Sequence, residues 1–182
     1  MKVVAVLGSP RKDSRSNALT LRLLEGAKAA GHEVVTYYIN DMHVMGCQAC
    51  RYCKDNCVDC ILEDDLKPYW KDLHECGALI VSAPNYCSQV SGPMITYMNR
   101  HYCILDKNFQ TRLTPGKIKL IGVLAQNRPV SDLAVMPAFD WYLHDFENRK
   151  MVLTDKFLIG GDSDLSPDGP LMQRAYAAGL AL

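Results

Sequence analysis

Five apolar, β-branched runs punctuate the chain, at residues 2–7, 33–39, 78–83, 118–125 and 151–159, each pair far enough apart to admit a helix. Several are nearly continuous in Val, Ile, Leu and Ala, as expected of parallel strands covered on both faces. The second, Val34-Val35-Thr36-Tyr37-Tyr38-Ile39, is more mixed and reads as lying nearer a sheet edge. Between the runs the period changes. Leu19, Leu23, Ala27 and Ala30 recur at helical spacings, and Gly31 supplies the stop. Asp64 or Asp65 is positioned to cap a helix running to about Cys76, with Pro68 in its first turn. Ser91-Gly92-Pro93 opens another through about Tyr102. A fourth helix occupies 137–148, with 131–136 an interrupted lead-in before Pro137, and a last one runs from about Asp168 to Leu180.

Alternating strands and helices predict an α/β architecture: a five-stranded parallel sheet in the flavodoxin-like order 2-1-3-4-5, with helices on both faces. Without repeats, linkers or low-complexity tracts, residues 1–182 read as a single domain. Residues 40–63, after the second strand, lack periodicity, and a loop of that length in a compact domain is usually functional. Composition sharpens this picture in three ways. With 48% hydrophobic and 22% charged residues, the chain can build a core and is not disordered. Its 20 basic and 20 acidic side chains cancel, which argues against a nucleic-acid partner. No apolar run approaches about 20 residues, and the first strand breaks at Gly8, too early for a signal peptide. The expectation is a soluble, cytoplasmic protein that does not bind membranes.

The first strand ends in Gly8-Ser9-Pro10-Arg11-Lys12-Asp13-Ser14-Arg15-Ser16-Asn17, and a helix follows. Unpaired N–H groups and the partial positive charge of a helix N-terminus make a ready anion site. The hydroxyls of Ser9, Ser14 and Ser16, the Asn17 amide and the Arg11 guanidinium add donors. Neither a Gly-x-Gly-x-x-Gly fingerprint nor a Gly-Lys-Ser/Thr ending is present, which leaves a phosphate monoester as the suited ligand. Gly8-Ser9-Pro10-Arg11-Lys12 followed by Ser16-Asn17 resembles the FMN phosphate loop of the NAD(P)H-dependent FMN reductase-like flavoproteins. Ala83-Pro84-Asn85-Tyr86-Cys87-Ser88-Gln89-Val90-Ser91-Gly92 is similar to that family's second flavin loop. The resemblance implies FMN, with Pro84, Asn85, Tyr86 and Ser88 along the ring, and the segment from Gly161 to Leu180 is similar to the family's closing helix. The loop after the fourth strand departs from the family's Gly-rich pattern, reading Ala125-Gln126-Asn127-Arg128-Pro129. Gln126 and Asn127 there retain the chemistry to hydrogen-bond the pyrimidine edge of the ring.

Five of the eight cysteines, Cys47, Cys50, Cys53, Cys57 and Cys60, fall within the loop at 42–63. A disulfide scaffold needs a short secreted chain, so the cluster points to a metal. Cys47-x2-Cys50-x2-Cys53 has the spacing of a ferredoxin-type [4Fe–4S] site, whose iron prefers soft thiolates. Cys57 gives the fourth ligand of a bacterial ferredoxin, although Val58 replaces the usual proline; Cys60 is the other candidate. The alternative metal is zinc, held by the pairs Cys47/Cys50 and Cys57/Cys60. The iron–sulfur flavoprotein subgroup of the same family has a compact cysteine motif whose last cysteine precedes an apolar residue and an acidic pair. Cys60-Ile61-Leu62-Glu63-Asp64-Asp65 resembles it, which implies Cys60 as the fourth ligand. Of the remaining cysteines, Cys76 and Cys103 read as core fillers and Cys87 as small-residue packing in the flavin loop. His101 reads as a solvated or capping residue near a helix end.

The resemblance implies an FMN-dependent oxidoreductase that passes electrons between a one-electron carrier such as ferredoxin and a two-electron acceptor. It also implies a homodimer or homotetramer. One alternative is an NAD(P)H-dependent FMN or quinone reductase whose cysteine loop holds zinc or nothing. Another is a redox sensor in which the state of a cluster or thiol alters partner binding.

Overall fold

The computed structural model describes residues 1–134 and 137–182. Its apolar runs form β1 (Lys2–Leu7), β2 (Glu33–Tyr38), β3 (Ala78–Tyr86), β5 (Lys119–Ala125) and β6 (Val152–Ile159), while β4 (Gln89–Val90) is a two-residue strand returning along β3. The five long strands are parallel and ordered β2-β1-β3-β5-β6, the expected 2-1-3-4-5 once β4 is set aside. β2 lies at one edge and is only half-buried, which is why its sequence is mixed. β1, inside the sheet between β2 and β3, has Val3 through Leu7 fully buried.

Successive side chains of a strand point to opposite faces, so the sheet divides the apolar residues into two cores. Val4, Val6, Leu79, Val81 and Leu120 face Tyr69, Leu73, Tyr97 and Phe146. Val3, Ala5, Ile80, Ile121 and Val123 face Leu19, Leu23 and Ala175. The first layer is supplied by α3 (Lys67–Glu75), α4 (Gly92–Arg100) and α6 (Pro137–Asn148), the second by α1 (Arg15–Ala29) and α7 (Pro170–Leu180). α1 and α7 cross backbone to backbone, because a Cβ on Gly26 would collide with the Tyr176 carbonyl and one on Gly179 with that of Leu23.

The short helix α2 (Tyr52–Asn56) interrupts the aperiodic loop, and α5 (Val130–Ala134) forms part of the lead-in to α6. Residues 135–136 of that lead-in lie outside the described residues. Two sequence expectations are corrected. α3 begins at Lys67, behind Leu66, so neither Asp64 nor Asp65 is its cap. His101 stands at the C-terminal cap of α4, as expected, but it is not solvated; it is completely buried. Its Nε2 lies 3.0 Å from the Tyr69 hydroxyl, which is 2.5 Å from that of Tyr97. The rings of Tyr97, Phe146 and Trp70 surround it edge-on. Burial holds its pKa well below the usual range, so the imidazole is neutral.

At the other end of β1, Lys2 Nζ donates to Asp72 Oδ1 (2.7 Å) and Glu75 Oε2 (2.6 Å), and the Tyr37 hydroxyl donates to Asp72 Oδ2 (2.6 Å). Burial raises the Asp72 carboxyl, but the bonds from Lys2 and Tyr37 outweigh it and hold the pKa below the usual value. A depressed carboxylate contributes stability that is present above its unfolded pKa of about 3.9 and lost as pH falls through the folded value. Asp72→Asn is therefore expected to cost about 1–2 kcal/mol near neutrality and to flatten the loss of stability below about pH 4. Urea unfolding at a series of pH values checks this; curves for variant and wild type that superimpose from pH 3 to 7 would contradict it.

Candidate functional site

The carboxyl ends of β1, β3 and β5 carry one site. At the tip of β1, the Gly8 amide donates to the Ser82 carbonyl of β3 (2.7 Å). The Gly8 carbonyl accepts from Asn40 Nδ2 (2.8 Å) and Ser91 Oγ (2.9 Å). No Cβ fits here, since it would strike the Met94 side chain. The chain then loops to α1, which Ser14 caps by accepting from the Asn17 amide (3.2 Å). Ser14 Oγ is 3.3 Å from Ser16 Oγ, and Ser9 Oγ accepts from the Arg11 amide (3.3 Å). Hydroxyls and first-turn N–H groups are thus gathered where an anion is favoured.

Ser9, Arg11, Ser14 and Ser16 line a cavity of about 410 Å³, together with Pro84, Asn85, Tyr86 and Ser88 from β3 and Gln126 and Asn127 after β5. That volume lies in the range of small-molecule sites. Asn17 is the exception among the expected cofactor residues. It is buried behind the loop, and its side-chain amide donates to the carbonyls of Arg11 (3.0 Å) and Lys12 (3.3 Å), so it shapes the loop. Gln126 lines the cavity, but its oxygen accepts from Asn85 Nδ2 (2.8 Å) and its nitrogen donates to the Pro129 carbonyl (2.9 Å). Its polar atoms tie two loops together, with one lone pair of Oε1 and one N–H of Nε2 beyond these two bonds. Sequence reasoning missed Arg15, Cys87, Ala125, Arg128 and Asp132 in the lining. Arg15 Nη2 donates to the carbonyls of Gly160 (2.8 Å) and Ser163 (2.5 Å), pinning the turn after β6 to the start of α1. Cys87 is exposed on the cavity lip and not packed inside the loop.

The segment 84–91 is a hairpin. Asn85 pairs with Val90 and Tyr86 with Gln89, leaving Cys87 and Ser88 as the two turn residues, with φ of 51° and 64°. Positive φ at both positions is the type I′ requirement normally met by Asn-Gly. Two side-chain-bearing residues in that region are a local strain, and they sit on the cavity.

The cysteines form a second site. Cys47, Cys50, Cys53 and Cys60 line one small pocket, joined by Arg51, Ile61, Arg100, Tyr102 and Cys103. Cys57 is not among them: it is exposed, in the left-handed region at the end of α2, with its amide bonded to the Cys53 carbonyl. Ala49 and Arg51 also have positive φ, so the loop reverses repeatedly between its cysteines. Burial raises the Cys53 thiol, against the opposing charge of Lys54. Cys103 is pushed up to about 12 by burial; it fills core space as expected and is also a fifth thiol on the pocket wall. Among the described residues the thiols are not drawn to ligating distance as a group of three. Their chemistry and common pocket nevertheless fit a thiophilic metal centre.

Asp64 and Arg100 close this loop. Both side chains are fully buried as an ion pair. Asp64 Oδ2 accepts from the Met45 amide (3.0 Å), its Oδ1 accepts from the Leu66 amide (3.2 Å), and Arg100 Nη1 donates to the Met45 carbonyl (2.8 Å). The Lys54 amine, also buried, donates to the carbonyls of Tyr102 (2.7 Å) and Leu105 (2.5 Å) and lies over the Tyr102 ring.

A doubly wound parallel sheet with a phosphate-ready helix N-terminus and a cavity at its carboxyl edge defines a flavodoxin-like, nucleotide-binding protein. The chain belongs to the NADPH-dependent FMN reductase family, whose model matches residues 1–144. It is 29% identical over 162 residues to an iron–sulfur flavoprotein of Methanosarcina thermophila, covering 88% of this chain and 81% of that one. It is 27% identical over 164 residues to an iron–sulfur flavoprotein of Methanocaldococcus jannaschii, covering 90% and 77%. Its fold is similar to that of an NAD(P)H:quinone oxidoreductase from Methanothermobacter marburgensis, with a TM-score of 0.74 at 16% identity over 99% and 98% of the two chains. The protein is an FMN-dependent oxidoreductase. Among the described residues no helix is long and apolar enough to cross a membrane.

The strained hairpin generates a prediction. Replacing Cys87 by Asn together with Ser88 by Gly supplies residues at home in a type I′ turn, and is expected to raise stability by about 1–2 kcal/mol. A urea midpoint equal to or below that of the wild type would show that Cys87 and Ser88 are not strained in solution.

Proposed function

We propose that this oxidoreductase holds FMN with its phosphate in the loop 8–17 and a [4Fe–4S] cluster on Cys47, Cys50, Cys53 and Cys60. It passes electrons between a one-electron carrier such as ferredoxin and a two-electron acceptor. The observation that carries this reading is the shared pocket of those four thiols, from which Cys57 is absent. When bound, FMN supplies one- or two-electron exchange and the cluster one-electron exchange. The chain supplies binding and orientation. Ser9, Ser14, Ser16 and Arg11 offer donors to a phosphate, with Asn17 holding the loop in shape. Pro84, Asn85, Tyr86 and Ser88 form one wall for the ring, and the backbone after β5 with Asn127 forms the other. The half-exposed Tyr86 leaves one side of the cavity approachable by a donor or acceptor.

NAD(P)H is the alternative donor, favoured by the family to which the chain belongs. Zinc on two Cys-x2-Cys pairs is disfavoured, because Cys57 lies outside the pocket that Cys47 and Cys50 line. The protein works as a homodimer or homotetramer in this reading, and residues 1–182 act as one domain.

Two experiments test the proposal. Arg11→Ala with Ser16→Ala removes donors worth roughly 1.5–3 kcal/mol each to a charged partner, so FMN affinity is expected to fall at least about tenfold with the fold intact. Unchanged affinity by fluorescence titration would remove the phosphate from this loop. Iron and acid-labile sulfide, measured on anaerobically purified protein, address the second site. Cys60→Ala is expected to lose iron or retain a labile three-iron form, while Cys57→Ala keeps wild-type content. The reverse result would make Cys57 the fourth ligand, and wild-type protein with zinc or no metal would refute the cluster.

A further inference from the structure

The buried ion pair at the end of α4 is built asymmetrically. Arg100 has five N–H donors in a planar fork. Its Nη1 serves Met45 and Asp64, and Nη2 reaches Asp64 Oδ1 at 3.5 Å. Nε is buried and has no hydrogen-bond partner. The side chain is fully sequestered and lines the same pocket as Cys47, Cys50, Cys53 and Cys60, and its guanidinium is in hydrogen-bonding contact with the Cys60 side chain. A buried charged donor without an acceptor costs more than an ordinary lost hydrogen bond and asks for an explanation. Met45 and Asp64 flank the cysteine segment, so the fork grips the loop from outside while Nε is left for what the loop encloses. Lys54, the other buried cation nearby, already donates to two carbonyls and is not part of the pocket wall.

We propose that Arg100 donates its Nε–H to a sulfur of the iron–sulfur cluster at the Cys60 corner and thereby raises the cluster's reduction potential. The inference depends on the cluster assigned above. Sulfur gains electron density when a cluster takes up an electron, so a hydrogen bond to it stabilises the reduced state more than the oxidised one. Asp64 cancels the formal charge of Arg100, which leaves the directed N–H bond as the main influence. Arg100 is then a positioning residue toward the loop and a direct contact of the cofactor.

The experiment uses the anaerobically purified holoprotein, with iron, sulfide and FMN quantified first. Arg100→Met combined with Asp64→Asn removes the donor while keeping the pocket neutral. In that variant the cluster's one-electron equilibrium is expected to shift at least tenfold against reduction, a midpoint 59 mV more negative, with the FMN midpoint unchanged. A cluster midpoint equal to that of the wild type, at full iron content, overturns the proposal. Because the variant can lose its cluster, a second measurement is made on unmutated protein carrying arginine labelled with ¹⁵N at Nε. Pulsed EPR of the reduced cluster is expected to show a ¹⁵N coupling that persists in Arg51→Lys. A cluster that is present but shows no such coupling, or loses it in Arg51→Lys, overturns the role of Arg100 and leaves the cluster assignment standing. Wild-type protein without iron and sulfide overturns both.

Discussion

The absence of a Cβ at Gly8 lets the start of α4 press against the tip of β1, and the cofactor edge of the sheet is assembled in that space. Met94 occupies the volume a side chain would need. With the approach this close, the Gly8 carbonyl accepts from Asn40 behind β2 and from Ser91 ahead of α4, while its amide bonds across to β3. One residue therefore ties β1 to β3 and to the segments that follow β2 and precede α4. Buried backbone groups need partners, and here the partners are Ser82 within β3 and the side chains of Asn40 and Ser91, behind the residues that line the cavity. The loop 8–17, proposed to hold the phosphate, thus leaves the sheet from a point fixed by hydrogen bonds on both its amide and its carbonyl.

α4 carries that constraint to the second site. Its first turn is held at Gly8 through Ser91 and its last residue is Arg100, nine residues and roughly 13 Å further along the axis. A helix is stiff over that distance, so the cysteine loop is registered against the phosphate loop through a single rigid element. The buried aromatic group beneath α4, Tyr69, Tyr97, Phe146 and the neutral His101, fills the layer between helix and sheet without a buried charge. The ion pair at the end of α4 is different in kind. Two charges removed from water are recovered only where geometry and further hydrogen bonds are good. Asp64 and Arg100 have both through Met45 and Leu66.

What could be read in advance follows from how local each signal is. Strands covered on both faces must be continuously apolar, so β1, β3 and β5 announce themselves, and β2 is recognisable as an edge by its Tyr and Thr. That the loop 8–17 leads from β1 into a capped helix was equally legible, since a glycine ending a strand and serines before a helix stand in order along the chain. The β3–β4 hairpin was hidden because Cys87-Ser88 lacks the Asn-Gly signature, and tertiary pairing alone drives the two residues to positive φ. Asp64 looked like a helix cap because an aspartate before a helix has the same appearance whether it caps or closes a loop. Its true partner, Arg100, lies 36 residues on. His101 misled for the same reason: the groups that bury it come from distant segments.

The cysteine loop shows how a segment with little regular structure is held in shape. Its backbone reverses at Ala49, Arg51 and Cys57 and cannot satisfy itself through a ladder. Side chains take that role. Asp65 Oδ2 accepts from the His43 amide while the Asp65 amide donates back to the His43 carbonyl; Asp64 and Arg100 bond both polar groups of Met45; Lys54 fastens α2 to the turn after α4. The two aspartates and Arg100 grip the loop outside its cysteines and Lys54 grips it between Cys53 and Cys57, so that Cys47, Cys50, Cys53 and Cys60 share one pocket. Chain entropy that a metal would otherwise have to overcome is largely removed by folding itself. An anchored loop also selects among its thiols. Cys57 is committed to the left-handed end of α2, whereas Cys60 stands next to the segment that Asp64 fixes. In the proposed site, the choice between two cysteines only three positions apart falls to the backbone that carries them.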